Sequence, residues 1–268
     1  MKALIVGRGR VGSMLLRALR SAGVAVRAQS SRVRIDAHGY DLVILAVRDP
    51  ALSSVSERVA QTVTKKTVVL HCAGGQGALV LNACAKAGAS TGVMHPLVSV
   101  ADRKRSPSLE LTTFVIAGDA RARRVASSVA VRVGATPLVA NVHGPLYHAA
   151  AVMLVGGTLS TLLDSVQIAV SAGVPAQAAT RAMVGLMMSV VENVVVRGAA
   201  ASLTGPIVRA DVDTVKAHLR ALGRDKASAN AYRAMSERMI HVAEHAGLSK
   251  KDAAALTRAL ATKKKVSR

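Results

Sequence analysis

Gly7, Gly9 and Gly12 stand as G-x-G-x-x-G inside LIVGRGRVGSMLLRALRSAG, residues 4–23. A short apolar run leads in and a helical pattern leads out, the setting in which such glycines cradle a pyrophosphate. The first glycine permits a tight turn, the second lets the backbone approach the phosphates, and the third lets the helix pack closely on the strand. Arg10 and Val11 open that helix, whose free N–H groups favour an anion. The end of the second apolar run selects the cofactor. A site for NAD places Asp or Glu about 20 residues past the glycines, on the ribose 2′-hydroxyl. VRAQSSRVR, residues 26–34, holds no acid, and Ser30, Ser31 and Arg32 occupy the region instead. Hydroxyls and a guanidinium hold a 2′-phosphate that a carboxylate would repel, so NADP(H) is expected, with NAD(H) the weaker alternative.

Reduction of C=O or C=N by hydride also needs a proton donor, a role that His and Tyr fill. Tyr147 and His148 open the first long helical pattern, directly after the strand signals end. His95 precedes Pro96, which holds it extended. These three are the catalytic candidates, His148 first. VRDP (47–50), HCAGG (71–75) and MHPL (94–97) each follow an apolar run, and an open parallel sheet binds its ligands beyond the carboxyl ends of the strands. Val47, Arg48, Cys72, Ala73 and Gly74 are therefore expected along the cofactor. In LTGPIVRAD, residues 203–211, Thr204 and Arg209 are candidates for substrate contact, Arg209 through a carboxylate. Arg209 is equally placed to pair with Glu192 or Asp211, and Asp211 reads as a helix N-cap.

The elements that must position these residues follow from periodicity. Ala3–Val6, Val24–Ala28, Leu42–Val47, Thr67–His71, Thr91–Met94 and Thr113–Ala117 read as short strands, with helical patterns over 11–22, 51–63, 77–87 and 120–132. Continuous apolar strands alternating with amphipathic helices predict a mostly parallel sheet covered on both faces. Beyond about residue 140 the patterns are long and helical: 145–171, 176–196, 211–222, 226–246 and 249–261. The fold class is an α/β Rossmann domain followed by an all-α domain. The boundaries are 1–144 for the nucleotide domain, 145–262 for a helical dimerisation and substrate domain, and 263–268 for a basic tail.

Charge sharpens the division. Between Val133 and Val208 the only charged residues are Asp164, Arg181, Glu192 and Arg197. Helices apolar on most faces must be buried on most faces. The central pair is therefore expected to be buried within its domain and against a second copy, as a homodimer, not in a membrane. The whole chain carries 36 Lys and Arg against 15 Asp and Glu, a net +21, spread over both halves. That charge attracts polyanions without a specific site. With no Trp, one Phe and three Tyr, a base-stacking surface is excluded, and no specific nucleic-acid partner is expected. Two cysteines, Cys72 and Cys84, form no metal-ligand pattern and fit a cytoplasmic chain with reduced thiols.

GRGRVG, LAVRDPAL (45–52), HCAGG, MHPL, YHAAAV (147–152) and LTGPIVRAD together resemble a family of bacterial two-domain proteins. That family pairs a Rossmann domain with a helical domain of unknown function, of the 6-phosphogluconate-dehydrogenase-like kind. It is similar in layout to pyrroline-5-carboxylate reductase, prephenate dehydrogenase and the deazaflavin-dependent NADP oxidoreductases. The resemblance implies the fold and a nucleotide cofactor but no particular substrate. Two departures stand out. Relatives carry a helix–strand–helix insertion where only residues 29–41 intervene here. Thirteen extended residues reach about 43 Å, so the third strand is expected to be missing or vestigial and the adenosine end open. Ala73 also stands where relatives carry a serine. The functional expectation is an NADP(H)-dependent oxidoreductase acting on a small C=O or C=N compound. The alternatives are a non-catalytic nucleotide-binding sensor or scaffold, and a polyanion-binding protein.

Overall fold

The computed structural model describes residues 1–105 and 107–261. The predicted basic tail lies outside them. Two compact units divide the chain at Gly157, one comprising Met1–Gly157 and one beginning at Thr158.

The first unit is built on a seven-stranded sheet: β1 (Lys2–Val6), β2 (Ala25–Gln29), β3 (Leu42–Leu45), β4 (Val68–His71), β5 (Ser90–Pro96), β6 (Thr113–Gly118) and β7 (Thr136–Val139). The order is β2-β1-β3-β4-β5-β6-β7. β2, β1, β3, β4 and β5 are parallel, β6 runs antiparallel to β5, and β7 is parallel to β6. Both faces of the central strands are fully buried, which is why they read as unbroken Val, Ile and Leu runs. Alternation assigns the faces. Ala3 and Ile5 join Met14, Leu15 and Leu19 of α1 (Arg10–Ser21) and Ala126 and Val129 of α4 (Ala120–Arg132). Leu4 and Val6 join Leu52, Val55 and Val59 of α2 (Leu52–Ala60) and Cys84 of the short α3 (Asn82–Lys86).

β2 is the edge, and no strand lies beyond it among the described residues. Residues 30–41 cross without a helix or strand, anchored by buried Ile35 and Ala37 in the core on the α2 side. The expected loss of the third strand is thus a feature of the fold. β7, in contrast, has no counterpart in the predicted elements. Thr136-Pro-Leu-Val is four residues long, carries a proline and is mostly exposed, as tolerated only at a sheet edge.

α5 (Gly144–Ser171) and α6 (Ala176–Arg197) are long. The prediction that they are buried within the domain is corrected here: α5 has no buried residue and α6 has only Ala179. Leu154 is 71 % and Val195 79 % exposed. Their apolar residues run round the whole helix, so packing within one chain covers too little of them. By length and composition both are long and apolar enough to cross a membrane.

In the second unit α7 (Val212–Leu222), α8 (Lys226–His245) and α9 (Lys250–Leu260) share a core of Ile207, Val215, Ile240, Leu256 and Leu260. Each is N-capped by a side chain, from Asp211, Asp225 and Ser249, as such residues prefer.

Candidate active site

The glycine turn sits at the carboxyl end of β1. Gly7 N–H donates to the Gln29 carbonyl at 2.9 Å, tying the turn to the edge strand. Gly7 has φ +121°, and a Cβ there would lie 2.2 Å from the Ala46 carbonyl oxygen. A Cβ on Gly12 would lie 2.0 Å from the Gly7 carbonyl oxygen. Both positions are closed by backbone. Gly9 is different: its Cβ would meet nothing within 4 Å. Gly9 is also the N-cap of α1 and offers no side-chain cap, so the first N–H groups of the helix have no capping side chain. The turn therefore has the shape a pyrophosphate needs, closed behind and open in front.

Past β2, Ser30 Oγ accepts from Arg32 N–H at 3.2 Å. Arg58 of α2 donates to the carbonyls of Ser31 and Val33 and so fixes this turn. The Arg32 side chain is exposed. Val47 and Arg48 follow β3, and Val47 lies 3.3 Å from the Cβ position of Gly7. The residues expected along the nucleotide thus line one end of the sheet.

The loop after β4 is braced from below by His71, which is fully buried. Its Nδ1 accepts from Ala73 N–H at 3.2 Å, so its Nε2–H donates to the Gly77 carbonyl at 3.2 Å. Burial holds this imidazole below its ordinary pKa, hence neutral. Desolvation pushes the Cys72 thiol up to about 12, so it is no nucleophile at neutral pH. Gly74 and Gly75 allow two close approaches. A Cβ on Gly74 would lie 2.8 Å from the His95 ring, and the start of α5 comes so near that a Cβ on Gly144 would lie 2.8 Å from the Gly75 carbonyl oxygen.

That approach delivers Tyr147 and His148. His95 Nδ1 lies 2.7 Å from Tyr147 Oη, and the two rings meet edge to face with centroids 5.5 Å apart. The His148 ring stands 6.3 Å from that of His95. Burial pushes His95 down to about 4, aided by nearby His148 and opposed by Asp49. Burial raises the Tyr147 hydroxyl to about 12. Tyr147 therefore keeps its proton at neutral pH and His95 stays neutral. A cavity of about 710 Å³, of small-molecule size, opens beside them and is floored by Val93, Val115 and Ala117 on the sheet face away from α4.

The three catalytic candidates are thus together, beside Gly74. Two further residues join them that the sequence reading passed over. Asp49 lies in the quoted VRDP, yet only its neighbours were singled out; its carboxylate and His148 Nδ1 both lie within 4 Å of the Cβ position of Gly75. His71 was read only as the end of a strand, and its bracing role needs the loop path to be known. Thr204 and Arg209 belong to the second unit. Both are exposed, and Arg209 stands near Asp211, which caps α7 through Thr214 N–H at 3.0 Å.

Comparison with known proteins agrees with this architecture. Residues 29–96 match a Rossmann-like domain, and residues 112–239 match the domain of unknown function DUF2520. No curated protein matches the sequence. A crystal structure of a Thermotoga maritima protein superposes with TM-score 0.72 at 20% identity, covering 91% of this chain and 99% of that one. Pyrroline carboxylate reductase of Plasmodium falciparum with NADP bound gives 0.60 at 12%, covering 96% and 98%. A reductive aminase of Aspergillus terreus with NADPH and ethyl-5-oxohexanoate gives 0.58 at 13%, covering 97% and 92%. At these identities the likeness is one of fold. The chain thus matches a Rossmann-like model followed by the DUF2520 model, and its fold is similar to that of pyrroline carboxylate reductase.

Proposed function

We propose that the protein is an NADP(H)-dependent reductase of a small C=O or C=N compound. The observation that carries this reading is the glycine turn, closed at Gly7 and Gly12 and open only at Gly9, at the head of an uncapped helix. The turn fits a pyrophosphate, and the fold is one that holds NADP in pyrroline carboxylate reductase. Gly7, Gly9, Arg10, Val11 and Gly12 hold the phosphates, and Ser30, Ser31 and Arg32 the 2′-phosphate. Val47, Arg48, Cys72, Ala73 and Gly74 line the rest of the cofactor. When bound, the dinucleotide supplies hydride.

The chain supplies the proton. His148 gives it to the substrate heteroatom, and the Asp49 carboxylate approaches the same loop position at Gly75. Tyr147 donates to the substrate or to His95 Nδ1. His95, neutral at the working pH, is a positioning residue and not the acid. The exposed apolar faces of α5 and α6 are covered by a second copy of the chain. Asp164 in α5 and Glu192-Asn193 in α6 favour a protein interface over lipid, where such groups cost several kcal/mol unpaired.

The test is titration of NADPH fluorescence followed by an NADPH-oxidation screen with imines, aldehydes and keto acids. Binding with turnover supports the reductase. Binding without turnover on any class favours the sensor, whose support is the short crossover and Ala73.

A further inference from the structure

The cavity beside Tyr147 is long, and its two ends differ in charge. β6 runs antiparallel to β5, with His95 opposite Val115 and Gly92 opposite Gly118. The lining includes His95 and Val115 at one end and Thr91 and Gly118 at the other. Thr91 and His95 are four residues apart on β5, about 13 Å at the rise of a strand. Between them the floor is apolar, formed by Val93, Val115 and Ala117 with Val139 of β7. Every lining residue belongs to the first unit. Tyr147 and His95 are both neutral at physiological pH, so their end carries no charge. Among the described residues the charged side chains of the lining are Asp119 and Arg123, both at the Thr91 end. Asp119 is already engaged: Oδ2 accepts from Thr91 N–H at 2.6 Å and Oδ1 from Ala122 N–H at 2.9 Å. It caps α4, whose N-terminus offsets a negative charge. Arg123 is exposed, one turn further along α4, and its guanidinium has no hydrogen-bond or ion-pair partner among the described residues. Nearby Arg121, in contrast, donates to the carbonyls of Lys65 and Lys66. The uncommitted charge in the cavity is therefore a cation.

We infer that this cavity holds the body of the substrate, and that the substrate is a chain-like carbonyl compound with a carboxylate at its far end, an ω-oxo acid of medium chain length. The inference deepens the reductase reading and rests on it for the reaction, but not for the binding. The methylenes of such a chain lie on the apolar floor, where burial favours them. The carboxylate meets the fork of Arg123, which matches it in pairs of hydrogen bonds. The carbonyl oxygen reaches the Tyr147 hydroxyl. In an eight-carbon chain seven C–C bonds advance about 9 Å, and the long Arg123 side chain covers the remainder. A short 2-oxo acid fits worse: with its carbonyl at Tyr147, its carboxylate would face the neutral Tyr147–His95 pair, an end without Lys or Arg in the described lining. In the reaction the carbonyl carbon gains the hydride that the dinucleotide supplies and the oxygen gains the proton, which leaves an ω-hydroxy acid and the oxidised dinucleotide.

The experiment is calorimetric titration of the full chain with sodium octanoate, and with sodium butyrate for comparison. Octanoate is expected to bind, and butyrate to bind more weakly by about fourfold for each methylene taken off the floor. Arg123→Ala should weaken octanoate about tenfold through its lost charge-assisted hydrogen bonds. Arg124→Ala removes an exposed arginine outside the lining and is the control for charge, expected to leave the affinity unchanged. With NADPH present, 8-oxooctanoate should be reduced at a lower KM than octanal, and Arg123→Ala should raise that KM to the octanal level. No binding of octanoate, or the same affinity in Arg123→Ala and Arg124→Ala, overturns the inference. Reduction of other carbonyl compounds with no preference for 8-oxooctanoate over octanal overturns it too, and leaves the reductase reading standing. Octanoate held through Arg123 by a chain that binds no NADPH supports the ligand assigned to the cavity and removes the reductase reading.

Discussion

His95 Nδ1 lies 2.7 Å from Tyr147 Oη, a hydrogen bond between residues 52 positions apart that joins β5 to α5. Burial holds the imidazole down to about 4 and the phenol up to about 12, so both partners are neutral across the physiological range. The unfolded chain binds a proton at His95 near 6.5. The stability that the neutral ring contributes is therefore present above about pH 6.5 and is lost as pH falls toward 4, because the unfolded state then takes the proton first. His71, also held down by burial, acts in the same direction. Urea unfolding between pH 7 and pH 4 should show this fall, and His95→Gln should flatten part of it. An NMR titration in which the His95 ring protonates near 6.5 would contradict the assignment.

The glycine turn makes two substitutions behave differently. Gly9→Ala adds a Cβ to open space at an ordinary φ of −73°. Its melting temperature should equal that of the wild type while NADPH binding weakens, since the Cβ stands where phosphates approach. Gly12→Ala places a Cβ 2.0 Å from a backbone oxygen. It should destabilise the fold by at least the ~1–3 kcal/mol typical of overpacking. Thermal melts with and without NADPH check both; equal behaviour of the two variants would remove the main support for the site.

Much of this was legible in the residues. Apolar strands, glycine spacing and the missing acid after β2 are local signals, and so the parallel half of the sheet and the short crossover were readable. β7 was not, because edge strands lack the buried pattern and this one contains Pro137. The exposure of α5 and α6 was not either, since low charge reports that a helix is covered without reporting by what. Tyr147 and His148 were singled out by chain position. Asp49 and the bracing His71 act through contacts of neighbouring loops, and spacing along the chain does not encode those.

Arg32 is exposed and its turn is already fixed by Arg58. Removing its guanidinium should therefore leave the loop in place. Arg32→Ala is expected to weaken NADPH about tenfold, the loss of one charge-assisted contact, and to leave NADH nearly unchanged. Fluorescence titration with both nucleotides measures the ratio. Equal losses, or a wild-type preference for NADH, would refute the choice of NADP.

The bare faces of α5 and α6 predict assembly. Leu154, Leu163, Val195 and Val196 are each more than 60 % exposed in one chain, a larger apolar surface than a soluble monomer usually shows. A closed two-fold dimer covers both copies at once. Light scattering at micromolar concentration should give twice 27.6 kDa, and Val195→Glu should shift the equilibrium toward monomer. A wild type that runs only as the 27.6 kDa species, or that enters only detergent, would contradict a dimer.

The last prediction concerns His148. Gly144 meets the Gly75 carbonyl so closely that the first turn of α5 has one seat against the loop after β4. That seat sets His148 Nδ1 3.5 Å from the Cβ position of Gly75, on the side where Asp49 Oδ2 lies at 3.8 Å. Of the three candidates, His95 is neutral down to about pH 4 and Tyr147 holds its proton to about 12. His148 is left as the candidate proton donor, with its Nδ1 already against the loop after β4. A positioned general acid is worth roughly 10²–10⁴-fold in rate. Once a substrate is found, His148→Ala should lower kcat by about that factor with NADPH affinity unchanged, and His148→Gln should not restore it. Asp49→Asn should lower kcat less than His148→Ala does, since the carboxylate approaches the same loop position without touching the reacting atoms. Tyr147→Phe should raise KM more than it lowers kcat if the phenol orients the substrate. Full activity in His148→Ala together with a large loss of kcat in Tyr147→Phe would transfer the acid role to Tyr147, with neutral His95 as its hydrogen-bond partner.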